Sequence, residues 1–296
     1  MSLRISLGFV SIWVVLAQEP HETAKARFHH LHLNTTDPAA AVKFYATKFE
    51  AERRSYGGSD AVWANHSWLL FEQVSAPPKA DITSGIWHMG WGGGAEMKET
   101  FRRQVESGTR FQAPLVDLSD QCDGKGGNEK FFFAYVEGPD RALIELNTTA
   151  AGDFKFGHVH LLSSDPVGTG EWYMKHFGLA RRGEGPVSRE ARFRCGRQTG
   201  PAFSMMMDEV NVIVYPIEWS QTAFPARWKD RKSLESSAGH VIDHLGFEVD
   251  DVDATLLRLK ADGVVILEGA RTRGGMRSAM IEGPDQVRIE LVQSGR

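Results

Sequence analysis

Cysteine is almost missing from this chain of 296 residues: Cys122 and Cys195 are the only two. That excludes a disulfide framework and a thiolate metal cluster, and the sequence leaves open whether the two pair. Basic runs are also missing. With 34 Lys and Arg against 38 Asp and Glu, the net charge is −4. A chain without a basic patch has no footprint for a phosphate backbone, so no nucleic-acid partner is expected. Long apolar runs are absent except at the start, where an uncharged stretch from Ile5 to Ala17 follows Arg4. Val15 and Ala17 satisfy the small-residue rule for a cut before Gln18, and the run is short for a membrane span. Residues 1–17 therefore read as a signal peptide, with an uncleaved anchor as the alternative. The mature protein is expected to be exported, periplasmic or secreted, and free of the membrane.

What is present is ordinary globular composition, 42% hydrophobic and 24% charged, in a length that suits one large domain or two of usual size. Its organisation lies in repeats. HHLHLNTTDP (His29 to Pro38) and VHLLSSDP (Val159 to Pro166) each place an apolar, histidine-bearing strand before an Asp-Pro pair. The Asp suits a helix N-cap and the Pro suits the first helical position, where a missing N–H costs nothing. An aromatic pair follows seven residues on, Phe44-Tyr45 and Trp172-Tyr173, and Gly178 marks a helix end. Two further units start at GIWHMGWGGG (from Gly85) and VIDHLGFEVDD (from Val241). They end in near-identical phrases, YVEGPDRALIELN (Tyr135 to Asn147) and MIEGPDQVRIELV (Met280 to Val292). The spacing predicts four units of strand, helix and further strands, arranged as two pairs.

These motifs resemble the vicinal oxygen chelate superfamily, which includes glyoxalase I, extradiol dioxygenases and bleomycin-resistance proteins. The resemblance covers nearly all of residues 28 to 294. It implies an α+β fold of four βαβββ modules, paired into two cup-shaped, mainly antiparallel half-barrel domains. The expected domains are 28–148, with modules 28–74 and 86–148, and 156–294, with modules 156–217 and 240–294. It further implies that first strands and last strands supply metal ligands. By position, the histidine seven residues before each capping Asp is selected, namely His30 and His158. The second modules offer His88 and His244, and their last strands offer Glu145 and Glu290. In chain order this gives two sets: His30, His88 and Glu145, then His158, His244 and Glu290. Two imidazoles and a carboxylate suit one or two divalent ions among Fe, Mn, Ni, Co and Zn, with open positions for a chelating substrate.

The resemblance also separates subfamilies. Glyoxalase I adds a Glu on the last strand of the first module, and Glu72 occupies that place, as a ligand or as a solvent-facing strand end. The third module has Tyr215 there, which becomes a candidate catalytic side chain. His160 and His32 share a strand face with His158 and His30. They are open between second-shell orienters, acid/base groups and pocket-lining histidines, and His160 and Glu290 join Tyr215 as catalytic candidates. His240 would share a face with His244 if its strand starts that early. His21, His29, His66 and His176 read as structural or exposed. Extradiol enzymes use a Tyr ten residues before the ligand Glu, matched by Tyr135 but replaced by Met280 in the other half, and a histidine upstream of it that neither half has. A lyase or isomerase moving a proton next to a metal-bound carbonyl is the expectation, on a small substrate with vicinal oxygens. The alternatives are an Fe(II)- and O2-dependent dioxygenase and a non-catalytic binder, in a monomer or homodimer. N-terminal sequencing of protein from its native host should read Gln18 first; an intact Met1 would reverse the export expectation.

Overall fold

The computed structural model describes residues 25–293 apart from 50, 119–130, 195–196, 229–230 and 274. The signal-peptide segment and both cysteines lie outside the described residues. Among the described residues, no helix is long and apolar enough to cross a membrane.

Four modules follow one another. Module one is β1 (Arg27–Thr35), α1 (Pro38–Lys48), β2 (Glu52–Tyr56), β3 (Ser59–Ala64) and β4 (Ser67–Gln73). Module two is β5 (Ile86–Gly92), α2 (Met97–Glu106), β6 (Val116–Asp117), β7 (Phe132–Glu137) and β8 (Leu143–Asn147). Module three is β9 (Phe156–Ser163), α3 (Pro166–Phe177), β10 (Ala180–Arg181), β11 (Arg192–Arg194), β12 (Arg197–Gly200), β13 (Phe203–Met207) and β14 (Val210–Pro216). Two short helices, α4 (Ile217–Ala223) and α5 (Pro225–Trp228), lead into module four: β15 (Ile242–Glu248), α6 (Val252–Ala261), β16 (Ile266–Arg273), β17 (Met276–Glu282) and β18 (Arg288–Gln293).

The expected caps form. Asp37 accepts a hydrogen bond from the backbone N–H of Ala40, and Asp165 from that of Gly168, each at 3.0 Å. A third Asp, Asp251, caps α6 through Ala254. Such caps are worth about 1 kcal/mol each. Gly178 ends α3 with φ of 68°, a conformation that costs glycine least.

The modules pair differently from chain order. One eight-stranded sheet runs β16-β17-β18-β15-β1-β4-β3-β2, joining modules four and one. The other runs β10-β13-β14-β9-β5-β8-β7-β6, joining modules three and two. The domains expected at 28–148 and 156–294 are therefore not the structural units. Each contributes one module to each sheet, and neither sheet closes into a barrel. Two linkers make the exchange possible by running side by side, with Lys79 bridged to His240 and Ser84 to Glu235. We call the sheet of modules two and three cup A, and that of modules one and four cup B.

The repeated Glu-Gly-Pro-Asp turns clasp the two cups together. Asp140, held at φ 48°, binds Thr35 Oγ1 at 2.5 Å and Thr36 Oγ1 at 2.8 Å. Asp285, at φ 54°, binds the Ser164 hydroxyl at 2.9 Å. Each turn thus reaches from one cup to the end of a first strand in the other. Asp tolerates a positive φ better than most side chains. A shared core of Leu31, Trp91, Phe156, Phe247 and their neighbours fills the space between sheets and helices.

Candidate metal centres in two cups

In cup A, β5 and β9 pair antiparallel, so His88 faces His160 and Gly90 faces His158. On the other side of β5, the parallel strand β8 sets Glu145 beside Gly90. A Cβ at residue 90 would overlap the His158 ring, so glycine lets that imidazole lie across the strand toward the carboxylate. His88 Nε2 stands 3.2 Å from Glu145 Oε2, and His158 Nε2 stands 3.8 Å from Glu145 Oε1. Despite that proximity, both nitrogens of His88, Nε2 of His158 and Nδ1 of His160 are buried without a hydrogen bond. Buried imidazole nitrogens are normally satisfied, so a converging unsatisfied set fits a cation. Donor atoms of His88, Glu145, His158 and His160 all lie within 4.8 Å of one another.

Electrostatics supports the same reading. Burial disfavours the His158 cation and lowers its pKa to about 4, against the opposing pull of Glu145. Burial likewise holds His160 well below the ordinary value. Glu145 shows the opposite balance: burial raises its pKa, but His88, His158 and a hydrogen bond from Tyr135 outweigh it and keep it below the usual range. Neutral imidazoles and an ionised carboxylate are the ligand forms a divalent ion requires. Cup A opens into a cavity of about 980 Å³, with Tyr135, His160, Tyr215 and Trp219 on its walls.

Cup B repeats the plan. Across the seam of β1 and β15, His32 faces His244 and His30 faces Gly246, and β18 sets Glu290 beside Gly246. A Cβ at residue 246 would overlap the His30 ring. His30 Nε2 and His244 Nε2 stand 3.4 and 3.6 Å from the same oxygen, Glu290 Oε2. The two cups differ behind the ligands. His244 Nδ1 donates to Asp243 at 2.8 Å, and Arg288 donates to that same carboxylate oxygen at 2.5 Å. Burial works against charge on His244, but Asp243 and Glu290 outweigh it and raise its pKa. His30 Nδ1 contacts His29 Nδ1 at 2.7 Å, and His29 Nε2 contacts the Tyr56 hydroxyl at 3.2 Å. In cup A the place of Asp243 belongs to Trp87, whose ring packs edge-on to His88 at 4.2 Å.

Several sequence expectations change here. The sets His30, His88, Glu145 and His158, His244, Glu290 are not brought together. Instead His88, Glu145 and His158 meet in cup A, and His30, His244 and Glu290 in cup B, because the modules exchange. Glu72 is exposed on β4 opposite Asn34 and does not join a cluster. Tyr215 does reach the cavity, stacked on His160 at 5.2 Å. His240 points away from its strand neighbour, to Glu235 at 3.1 Å, since β15 begins only at Ile242. His29 and Asp243 were missed as orienting residues. The dipeptides His29-His30 and Asp243-His244 were the available signal, each putting a hydrogen-bonding group next to a ligand candidate.

The fold and the sequence both have known relatives. Residues 155–291 match the family model of the Glyoxalase/Bleomycin resistance protein/Dioxygenase superfamily. Glyoxalase I from Zea mays superposes with a TM-score of 0.64 at 14% identity, covering 91% of this chain and 92% of that one. A putative dioxygenase from Bacillus subtilis subsp. subtilis str. 168 superposes with a TM-score of 0.59 at 12% identity, covering 92% and 87%. No curated protein sequence matches the chain. That family match covers a little under half of the chain, and the solved structures show the shared fold over the rest. The family match lies on modules three and four, one from each cup, and the shared fold extends the likeness to modules one and two. Superfamily members include metal-dependent enzymes and non-enzymes, so the site must carry the functional argument.

Burial of neutral histidines makes acid stability a readout of the site. The folded pKa of His158 lies below its unfolded value, so the unfolded chain takes up the proton first as pH falls. Its penalty is absent above about pH 6.5 and grows down to about pH 4. Metal-free protein should therefore lose up to roughly 3 kcal/mol through His158 alone across that window, and His158→Gln should flatten the loss. Urea unfolding at several pH values measures this; equal pH slopes for the two proteins would contradict the assigned burial of His158.

Proposed function

We propose that the protein is a divalent-metal-dependent lyase or isomerase that acts in cup A on a small substrate chelating the metal through two adjacent oxygens. The supporting observation is the convergence of buried, unsatisfied nitrogens of His88 and His158 on the Glu145 carboxylate beside the large cavity. A bound cation there would supply Lewis-acid polarisation of the substrate oxygens. The chain's own part is to hold, orient and move a proton. Tyr135 donates to Glu145 and keeps the carboxylate directed, with His88 facing one oxygen and His158 the other. Glu145, ionised at neutral pH, takes the C–H proton from the hydroxyl-bearing carbon beside the polarised carbonyl and returns it to the former carbonyl carbon, while the hydroxyl proton passes to the former carbonyl oxygen. Trp87, Tyr215 and Trp219 close the cavity end with aromatic surface, which excludes water from that transfer. By the pseudo-symmetry, Glu290 has the equivalent position in cup B. Export of the mature chain, proposed on the N-terminal segment alone, would place the activity outside the cytoplasm.

One observation favours a second reading. Tyr135 stands beside the ligand carboxylate, as the resemblance to extradiol enzymes implies, and an Fe(II)- and O2-dependent ring cleavage would use the same cup. Hemithioacetals and catechols, assayed with metal-depleted and metal-restored protein, separate the two. Tyr135→Phe should lower turnover or metal affinity on the order of 10–100-fold, and His88→Ala by more. Catechol cleavage without hemithioacetal turnover would replace the lyase reading. Ligand binding without turnover of either would leave a binding protein. Loss of activity on His244→Ala but not on His88→Ala would move the reaction to cup B.

A further inference from the structure

We infer that His160 is a fourth protein ligand in cup A, so that the ion is held by three imidazoles and one carboxylate, with His32 as its counterpart in cup B. The inference rests on the metal reading above and goes beyond its set of two histidines and one Glu.

Geometry carries it first. The His160 donor lies within 4.8 Å of donors from His88, Glu145 and His158 taken together. The side chain is 8% exposed, and its Nδ1 has no hydrogen bond. A core histidine would be expected to satisfy that nitrogen, since a buried polar atom without a partner costs about 1–3 kcal/mol.

The second observation is what stands in the place of another ligand. On the strands running parallel to the first strands, Tyr215 of β14 in cup A and Glu72 of β4 in cup B stand at matching places. Tyr215 presents its ring to His160, the planes inclined by only 19°, and Glu72 is exposed. Neither strand turns a carboxylate toward its cluster. The first strand itself supplies the extra donor two residues along.

The third observation is that the arrangement occurs twice. His160 faces His88 across its seam, rings 4.5 Å apart, and His32 faces His244 across the other, rings 4.3 Å apart. Donors of His30, His32 and His244 also lie within 4.8 Å of one another, a grouping of imidazoles that does not take in Glu290. Stacking on the facing ring calls for a flat side chain at both positions, and histidine is the flat side chain that also offers a nitrogen donor. Three nitrogens and one oxygen favour borderline ions such as Zn, Co, Ni or Fe(II) over the oxygen-seeking Mg or Mn. In a six-coordinate ion, four protein donors leave two positions, the number a vicinal-oxygen substrate needs.

Cobalt(II) provides a readout independent of activity. A coordinated imidazole carries its remaining ring N–H into a strongly shifted region of the proton NMR spectrum, one signal per histidine ligand. We would use full-length protein carrying His244→Ala, which leaves cup A as the intact cluster, titrated with cobalt(II) chloride. Three shifted, exchangeable ring signals per bound ion are expected, falling to two with His160→Ala, together with a change in the visible absorption band. Two signals in the protein that retains His160 would overturn the inference while leaving the triad standing, and that measurement needs no His160 variant to fold. Absence of bound cobalt would overturn both the inference and the metal reading beneath it.

Discussion

An antiparallel seam between two first strands decides what the rest of this structure can do. At each seam, one strand brings His-x-His and the other brings His-x-Gly. Antiparallel register sets histidine against histidine and histidine against glycine. The glycine is where one imidazole crosses the neighbouring backbone, and the parallel strand beyond it brings the Glu to meet that ring. Side chains two apart on a strand share a face, so all four groups look into the same cup. A slip of one residue would turn every one of them to the other side.

The two cups are built on one plan and diverge in how their ligands are supported. In cup B, Asp243 and Arg288 hold one imidazole, and His29 with Tyr56 holds the other. In cup A, Trp87 packs against His88, and Tyr135 donates to Glu145. Hydrogen bonds to the far nitrogen of a ligand histidine fix its tautomer and raise its basicity. Cup B is thus furnished for firm holding. In cup A the histidines stand beside a large cavity whose walls include Trp87, Tyr135, Tyr215 and Trp219.

Much of this was legible in the sequence, and the part that was not has a definite physical cause. The helix starts at Asp37 and Asp165, the glycine stop at residue 178, and the paired turns before β8 and β18 are local features, set by residues within a few positions of one another. The ligand candidates followed from the family resemblance, carried over by position onto the repeated strands. Which module pairs with which did not follow, because every module carries the same local signals and either pairing buries the same faces. Chain order suggested neighbours. The choice is made at long range, by the parallel linkers at Lys79 and His240 and by the reach of Asp140 to Thr35 and Asp285 to Ser164. Glu72 failed for a local reason: it lies next to the end of β4 and is exposed.

The central claim is that His158 shares its ion with His88 and Glu145, not with His244 and Glu290. A double-mutant cycle on zinc binding tests it directly, using equilibrium dialysis of single and paired Ala variants. The account predicts that His88→Ala adds nothing to the loss already caused by His158→Ala, whereas His244→Ala adds its full effect independently. Strong coupling of His158 to His244, with additive losses for His158 and His88, would contradict it.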